Sequence, residues 1–308
     1  MKVKTVLLLL FIVSLVFLVR SPALAGDRAL DPARAAPVEI DAKEGPAFSR
    51  ENYLSDAEYF DPTLHVTVER DRYLDTDMWI ARVRIAHPSQ IRSALAGRYG
   101  SQHGSAAAYI AKRVNGVVAI NGDNYGFDNR GVTLRQGHLY RNRPNGKDDV
   151  LIIDDKGDFH VVTKADKDSF AEAYGALGGS WEEGGSVVNI LYFGPQLVKD
   201  GAHAHEVYAR YNTGVDVPAQ RMAIAQAGPL AYLLVTCEGP ESPGSVGLTV
   251  RQMADYMVEL GCETAYNLDG GSSSTLVFQD RKINSPDTRK VRPVSDIIYF
   301  TSALADGR

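Results

Sequence analysis

The sequence predicts an α+β fold: a single domain on a mixed, partly parallel β-sheet, with flanking helices and polar loops at the carboxyl ends of strands. Three observations carry this. Short apolar runs with period-two alternation recur along the chain, punctuated by Gly, Asn and Asp turns. Twice, a helical stretch is followed by a short buried strand that opens into a polar, glycine-containing loop, at Asn121-Gly122-Asp123 and at Asp269-Gly270-Gly271. The second of these helices stands between two apolar strands, as in a β-α-β unit, whose strands run parallel.

Taken in order, residues 1–25 read as a secretory signal peptide. Lys2 and Lys4 precede an apolar run over 6–19, and Ala23-Leu24-Ala25 offers a small-residue cleavage site. The run is shorter than the roughly 20 residues that cross a bilayer core. A membrane is therefore a partner only through an uncleaved anchor, and the remainder is expected outside the cytoplasm, secreted or at the cell surface. Residues 26–60, rich in Ala, Pro and charge, read as a tether or loosely packed arm. The folded domain is expected over 61–303, with a tail at 304–308.

Residues 65–69 and 79–85 alternate and read as strands. Residues 105–114 are helical, stopped by Asn115-Gly116, and 117–120 form an apolar strand. Two hairpins follow, over 131–140 with a turn at Gln136-Gly137, and over 150–162 with a turn at Asp155-Lys156-Gly157-Asp158. A short helix over 168–177 takes Asp168 or Ser169 as its cap. Strands are expected over 187–193 and 231–236. The next helix carries a full set of signals: Thr249 caps, Gln252 completes a capping box, Leu248 staples onto Met253, and Gly261 stops it. Val250, Met253, Met257 and Leu260 form its core stripe. Strands over 264–268, 276–278 and 296–300 close the domain.

The chain has 308 residues and a net charge of −5, so composition is globular and gives no electrostatic case for nucleic acid. It has 2 cysteines. Cys237 ends one strand and Cys262 precedes the next. In parallel neighbours that puts the thiols at opposite ends of the sheet, so both are expected free and buried. His203-Ala204-His205-Glu206 lacks a third histidine and reads as an exposed loop. Asp154, Asp155 and Asp158 lack the ligand pattern of a calcium loop. No cofactor is expected; a calcium ion is admissible, though no motif calls for one.

The candidate site follows from the strand ends, where ligands sit in open sheets. Asn267 and Asp269 end one strand. Gly270 and Gly271 permit positive φ and close backbone approach. Ser272, Ser273, Ser274 and Thr275 add hydroxyls and N–H groups that can hold an anion or sugar hydroxyls. Asn121 and Asp123 supply the second loop, Arg221 a potential bidentate phosphate clamp, and Glu238 a second carboxylate.

Asn267-Leu268-Asp269-Gly270-Gly271-Ser272-Ser273-Ser274-Thr275 resembles the signature of the phosphodiester glycosidase family, with Ser272 in place of a third glycine. Ala119-Ile120-Asn121-Gly122-Asp123-Asn124-Tyr125 resembles its Asn-Gly signature. The runs over 131–141, 193–201, 284–286 and 292–296 are similar to further family segments, so the resemblance spans roughly residues 65–303 in order. Two departures stand out. Arg221 is kept but Met222 replaces a threonine, and Glu238-Gly239-Pro240 replaces Asp-Gly-Arg. The resemblance implies hydrolysis of a sugar-1-phosphodiester, of the N-acetylglucosamine-1-phosphodiester kind, in extracellular or cell-envelope glycan such as exopolysaccharide. Asp269 and Glu238 are then the candidate catalytic carboxylates. Asn121, Asp123, Arg221, Asn267, Gly270, Gly271, Ser273, Ser274 and Thr275 are the candidate substrate contacts. A non-catalytic glycan-binding surface protein on the same fold is the competing class, and a metal-dependent phosphodiesterase a third.

Overall fold

The computed structural model describes residues 28–101, 103–126, 129–179, 185–204, 216–285 and 292–304. The expected signal peptide, the tail beyond Leu304, and His205 with Glu206 lie outside the described residues.

Three sheets build the fold. The largest has nine strands, in the order Tyr53–Ser55, Glu58–Asp61, Leu64–Tyr73, Thr76–Ile85, Ala231–Cys237, Arg221–Gly228, Thr264–Leu268, Gln196–Lys199 and Ala202–His203. A five-stranded sheet is ordered Phe159–Val162, Val150–Asp154, Val187–Tyr192, Gly131–Arg135, His138–Arg143. A second one is ordered Arg281–Lys282, Leu276–Phe278, Val118–Asn121, Asp296–Phe300, Ile91–Leu95. Alternation along each strand sets the layers. Met222, Ile224, Leu234 and Tyr266 point from the large sheet into a core shared with Ile120, Phe300, Leu151 and Leu191 of the smaller ones. Ala223, Ala225, Leu233 and Val235 point the other way, onto Met253, Ala254 and Met257 of the helix Val250–Glu259. The helices Lys167–Ala176 and Ala107–Arg113 cover the two five-stranded sheets in the same manner.

Every strand pairing among the described residues is antiparallel, which corrects the expected partly parallel sheet. The strand–helix–strand unit is present, and its two strands run the same way. The Arg221–Gly228 strand lies between them, antiparallel to both, because a tight turn folds it back onto Ala231–Cys237. The helix therefore crosses over one strand. Since Arg221 pairs with Cys237 and Met222 with Leu268, one strand beginning and two strand endings share one end of the sheet. Cys237 and Cys262 lie at opposite ends of these strands, and both are free and buried, with burial pushing each thiol up to about 12.

The amino-terminal arm, expected as a tether or loosely packed arm, is bonded to the rest of the fold. Glu58–Asp61 pairs with Leu64–Tyr73. Upstream, Ala36 N–H donates to Ala303 O at 2.8 Å and Val38 N–H to Ser89 Oγ at 2.9 Å. The buried Arg92 guanidinium donates to Ile40 O at 3.2 Å and Ala42 O at 3.0 Å, so the arm's carbonyls satisfy a charge that burial would otherwise penalise. No sustained periodicity announces these bonds, because they are made one carbonyl at a time.

Local signals hold well. Thr249 caps its helix with the full box, and Gly261 ends it at φ +78°. One cap moves: Asp166, not Asp168 or Ser169, caps Lys167–Ala176, accepting from Asp168 N at 3.1 Å and Ser169 N at 2.8 Å.

Candidate active site

The loop Asp269–Thr275 is shaped by its two glycines in different ways. Gly271 takes φ +58°, the left-handed region. Gly270 does not, but a Cβ there would sit 2.8 Å from Gln220 O, so that position requires glycine for space. Gly271 N–H then donates to Gln220 O at 2.9 Å. Asn121, at the end of Val118–Asn121, clamps both ends of the loop. Its Nδ2 donates to Asp269 O at 2.8 Å, and its Oδ1 accepts from Thr275 N at 3.1 Å. The two loops expected to meet do meet, and Asn121 is what joins them.

Behind them lies a buried ionic cluster. Asp123 accepts from Tyr125 N and Tyr192 N, each at 3.0 Å, and pairs with Arg135 at 2.9 Å. Arg135 also donates from Nε to Asp296 at 2.7 Å. Gly122 makes the cluster fit, since a Cβ there would lie 2.4 Å from the Asp296 carboxylate. Burial opposes the Arg135 charge, but its two carboxylates outweigh that and hold it protonated. Burial is also the main force on Asp296, and with Asp123 nearby it lifts that carboxyl to about 7 against the pull of Arg135.

Asp269 stands in front of this cluster. It is half-buried, with its carboxyl raised above the ordinary range chiefly by burial. The Ser273 hydroxyl, the charge of Arg292 and the Gly270 N–H act in the opposite direction, and Asp123 reinforces the rise. Several buried side-chain oxygens at this junction have no hydrogen-bond partner among the described residues: Asn267 Oδ1, Ser274 Oγ, Thr275 Oγ1 and Asp296 Oδ1. Such atoms are uncommon in native interiors, and a functional role, an ordered water or an ion each accounts for them.

Other candidates are placed differently. Glu238 ends Ala231–Cys237 as expected, but it is caged. It accepts from Trp79 Nε1 at 3.1 Å, Ser285 N at 2.6 Å, Ser242 Oγ at 2.8 Å, and from the Ser285 hydroxyl. Its strand is separated from that of Asp269 by Arg221–Gly228, so the two are not on adjacent strands. Arg221 donates from Nε to Leu248 O at 2.9 Å and from a terminal nitrogen to Val217 O at 2.5 Å, tying down the segment that leads into the Val250–Glu259 helix. Asn267 donates to Gly194 O at 2.7 Å. His203 pairs with Asp255 at 2.8 Å. Among the described residues no group of His, Cys, Asp and Glu is arranged to hold a metal ion.

A profile of the phosphodiester glycosidase family matches residues 111–301. The chain belongs to the phosphodiester glycosidase family. The matched span contains both loops, the ionic cluster and Glu238, and excludes the arm. The chain is 26% identical over 211 residues to YomE, an SPbeta prophage-derived uncharacterized protein of Bacillus subtilis (strain 168), covering 66% of this chain and 30% of that one. It thus spans under a third of that relative's length. Among solved structures, the catalytic domain of zebrafish N-acetylglucosamine-1-phosphodiester α-N-acetylglucosaminidase, auto-inhibited by its pro-peptide, superposes with a TM-score of 0.63 at 18% identity, covering 86% of this chain and 97% of that domain. A hypothetical protein from Synechocystis follows at a TM-score of 0.53 and 15% identity, covering 77% of this chain and 62% of that one. These likenesses establish a shared fold.

Within this phosphodiester glycosidase fold, sequence reading missed Arg135, Asp296 and Arg292. Each carried a signal. Arg135 ends an otherwise apolar strand, Asp296 opens one, and Arg292 lies in the family-like tail segment.

Proposed function

We propose that this chain is an exported hydrolase that cleaves the glycosyl–phosphate bond of a sugar-1-phosphodiester in extracellular or cell-envelope glycan, with Asp269 acting at the anomeric carbon. The observation that carries the reading is the contrast at the loop junction. Asp269 is half-buried beside unpartnered hydroxyl and amide oxygens, whereas its companion Glu238 has its lone pairs occupied. Family membership supplies the reaction class.

The substrate sets what the site must do. A phosphodiester leaving group is weakly basic, so its departure needs less protonation than an alkoxide's. The remaining tasks are to hold phosphate, to stabilise positive charge at the anomeric carbon, and to supply a nucleophile or a base for water. Ionised Asp269 serves the last two, and burial raises its basicity. Arg292 adds positive charge to its surroundings, and the buried Ser274 and Thr275 hydroxyls lie unpartnered in the same loop. Asp123, Arg135 and Asp296 form the floor that fixes the Asn121 loop. Glu238 and Arg221 position backbone and touch no reacting atom.

The full-length chain is expected to release free sugar from UDP-N-acetylglucosamine or from an alkyl N-acetylglucosamine-1-phosphodiester. Glycan-array binding without hydrolysis of any sugar-1-phosphodiester would establish the non-catalytic glycan binder instead.

A further inference from the structure

Two asparagines flank the last part of the Asp269–Thr275 loop. Asn121 is on one side: besides accepting from Thr275 N, it donates its own N–H to Thr275 O at 3.3 Å. Asn284 is on the other. Its Nδ2 donates to Ser274 O at 3.0 Å, and its Oδ1 accepts from Leu276 N at 2.8 Å. Ile283 N then donates to Leu276 O at 2.9 Å. In a paired strand successive residues turn their main-chain groups to opposite sides. Thr275 is therefore bonded towards Asn121, and Leu276 with the Ser274 carbonyl towards Asn284. A carboxamide offers donors and an acceptor, as a peptide group does, so the Asn284 side chain continues the pairing of the short strand that ends at Lys282.

Asn284 is 0% exposed, so it acts on the loop and not on a bound sugar. Its own place is fixed from behind. Ser285 takes φ +42°, a left-handed conformation that serine rarely adopts. It donates its N–H to Glu238 at 2.6 Å and its hydroxyl to the same carboxylate. Gln220 donates from Nε2 to the Ser285 hydroxyl at 3.0 Å, while its carbonyl accepts from Gly271 N. Backbone in such a conformation persists where its surroundings over-determine it, and these positions cluster at functional sites. Next to the clamped Ser274 is Ser273, whose hydroxyl bonds the Asp269 carboxyl. We infer that Asn284 is a positioning residue for cleavage of the glycosyl–phosphate bond: by holding Ser274 O and Leu276 N it sets where the Ser273 hydroxyl, and with it the Asp269 carboxylate, stands. The inference rests on the glycosidase reading.

The test is sugar release by the full chain, from whichever of UDP-N-acetylglucosamine and the alkyl phosphodiester wild type cleaves, with circular dichroism giving the folded fraction. Asn284→Ala leaves Ser274 O and Leu276 N unpaired. It should lower kcat of the folded fraction by about 10–10²-fold, the effect of misplacing a catalytic group by up to about 1 Å, with KM nearly unchanged. Asn284→Asp separates positioning from general loosening. The introduced carboxyl accepts from Leu276 N in either form, but donates to Ser274 O only when protonated. Burial and nearby Glu238 favour the protonated form, and Lys282 opposes it. The charges around Asp269, from Arg292, Asp123 and Asp296, are the same in variant and wild type. The kcat of Asn284→Asp relative to wild type should therefore rise towards one as pH falls. If Asn284→Ala does not fold, the isosteric Asn284→Asp decides. Wild-type kcat in the folded variants, a raised KM with kcat unchanged, or a relative rate of Asn284→Asp that ignores pH would each overturn the inference. If wild type cleaves no sugar-1-phosphodiester, the glycosidase reading fails and this inference with it; if wild type turns over and the variants match it, this inference fails alone.

Discussion

Asp269 and Glu238 end two strands that run in the same direction in one sheet, and from sequence they are equivalent. Their surroundings are opposite. Trp79, Ser242, Ser285 and its backbone N–H all donate to Glu238. Asp269 has a serine, a glycine N–H and the Arg292 cation to offset its burial, and its carboxyl is raised. The difference shows what separates a structural carboxylate from a reactive one. A carboxylate whose lone pairs are filled by the chain's own donors has none to offer a substrate.

The largest effect should come from Asp269→Asn. Loss of the group acting at the anomeric carbon is expected to cut turnover by about 10²–10⁴-fold. Because burial disfavours the charge at 269, the neutral isostere should leave the melting temperature unchanged or slightly higher at pH 7. In wild type the rate should rise with pH through a value above the ordinary carboxylate range, as Asp269 ionises. Turnover that survives the substitution would remove Asp269 from the chemistry.

Glu238→Gln tests the other half. The side chain keeps its shape, but one oxygen becomes an NH2 group facing hydroxyl and N–H donors. An unmade buried hydrogen bond costs about 1–3 kcal/mol, so denaturant unfolding should register a loss of that size. Turnover by the folded fraction should stay close to wild type. A collapse of turnover with stability intact would exchange the roles of the two carboxylates.

That exchange could not have been settled from sequence, and the reason is physical. Patterns that repeat within a dozen residues were readable: the Thr249 capping box, the Gln136-Gly137 and Asp155–Asp158 hairpin turns, and the two polar loops at strand ends. Sheet order was not, because the Arg221–Gly228 strand enters between Ala231–Cys237 and Thr264–Leu268 through contacts that no local period encodes. The same applies to the site. Asn121 and Asp269 were visible as loop residues. That Arg221 would spend its guanidinium on Leu248 and Val217 carbonyls, and that Arg135 would reach Asp123 and Asp296, depends on which chain segments become neighbours.

The buried cluster behind Asp269 offers a smaller, pH-dependent effect. An aspartate lifted to about 7 in the folded state, against an ordinary value of about 3.9, binds more protons folded than unfolded across that interval. Stability from this group is therefore present below the ordinary value and falls as pH rises through about 7. Asp296→Asn should flatten that fall in urea-unfolding free energy measured from pH 4 to pH 8. An unchanged slope would mean that Arg135 neutralises Asp296 fully and that Asp269 alone senses the burial.

The smallest effect is expected at Ser272, where the family's usual glycine is replaced. Ser272 is exposed, within the short turn Gly271–Ser273, and its φ is not in the left-handed region that Gly271 occupies. A side chain is therefore accommodated at 272 without strain, while 270 has no room for one and the left-handed backbone at 271 would strain one. Ser272→Gly should lower stability by about 0.4–1 kcal/mol, through the added freedom of the unfolded chain. It should leave sugar release nearly unaltered, because the Ser273 hydroxyl and the Gly270 N–H, not Ser272, flank Asp269. A large change in turnover would show that the extra hydroxyl contacts the substrate, and would extend the reactive side of the comparison from one carboxylate to the rim of its loop.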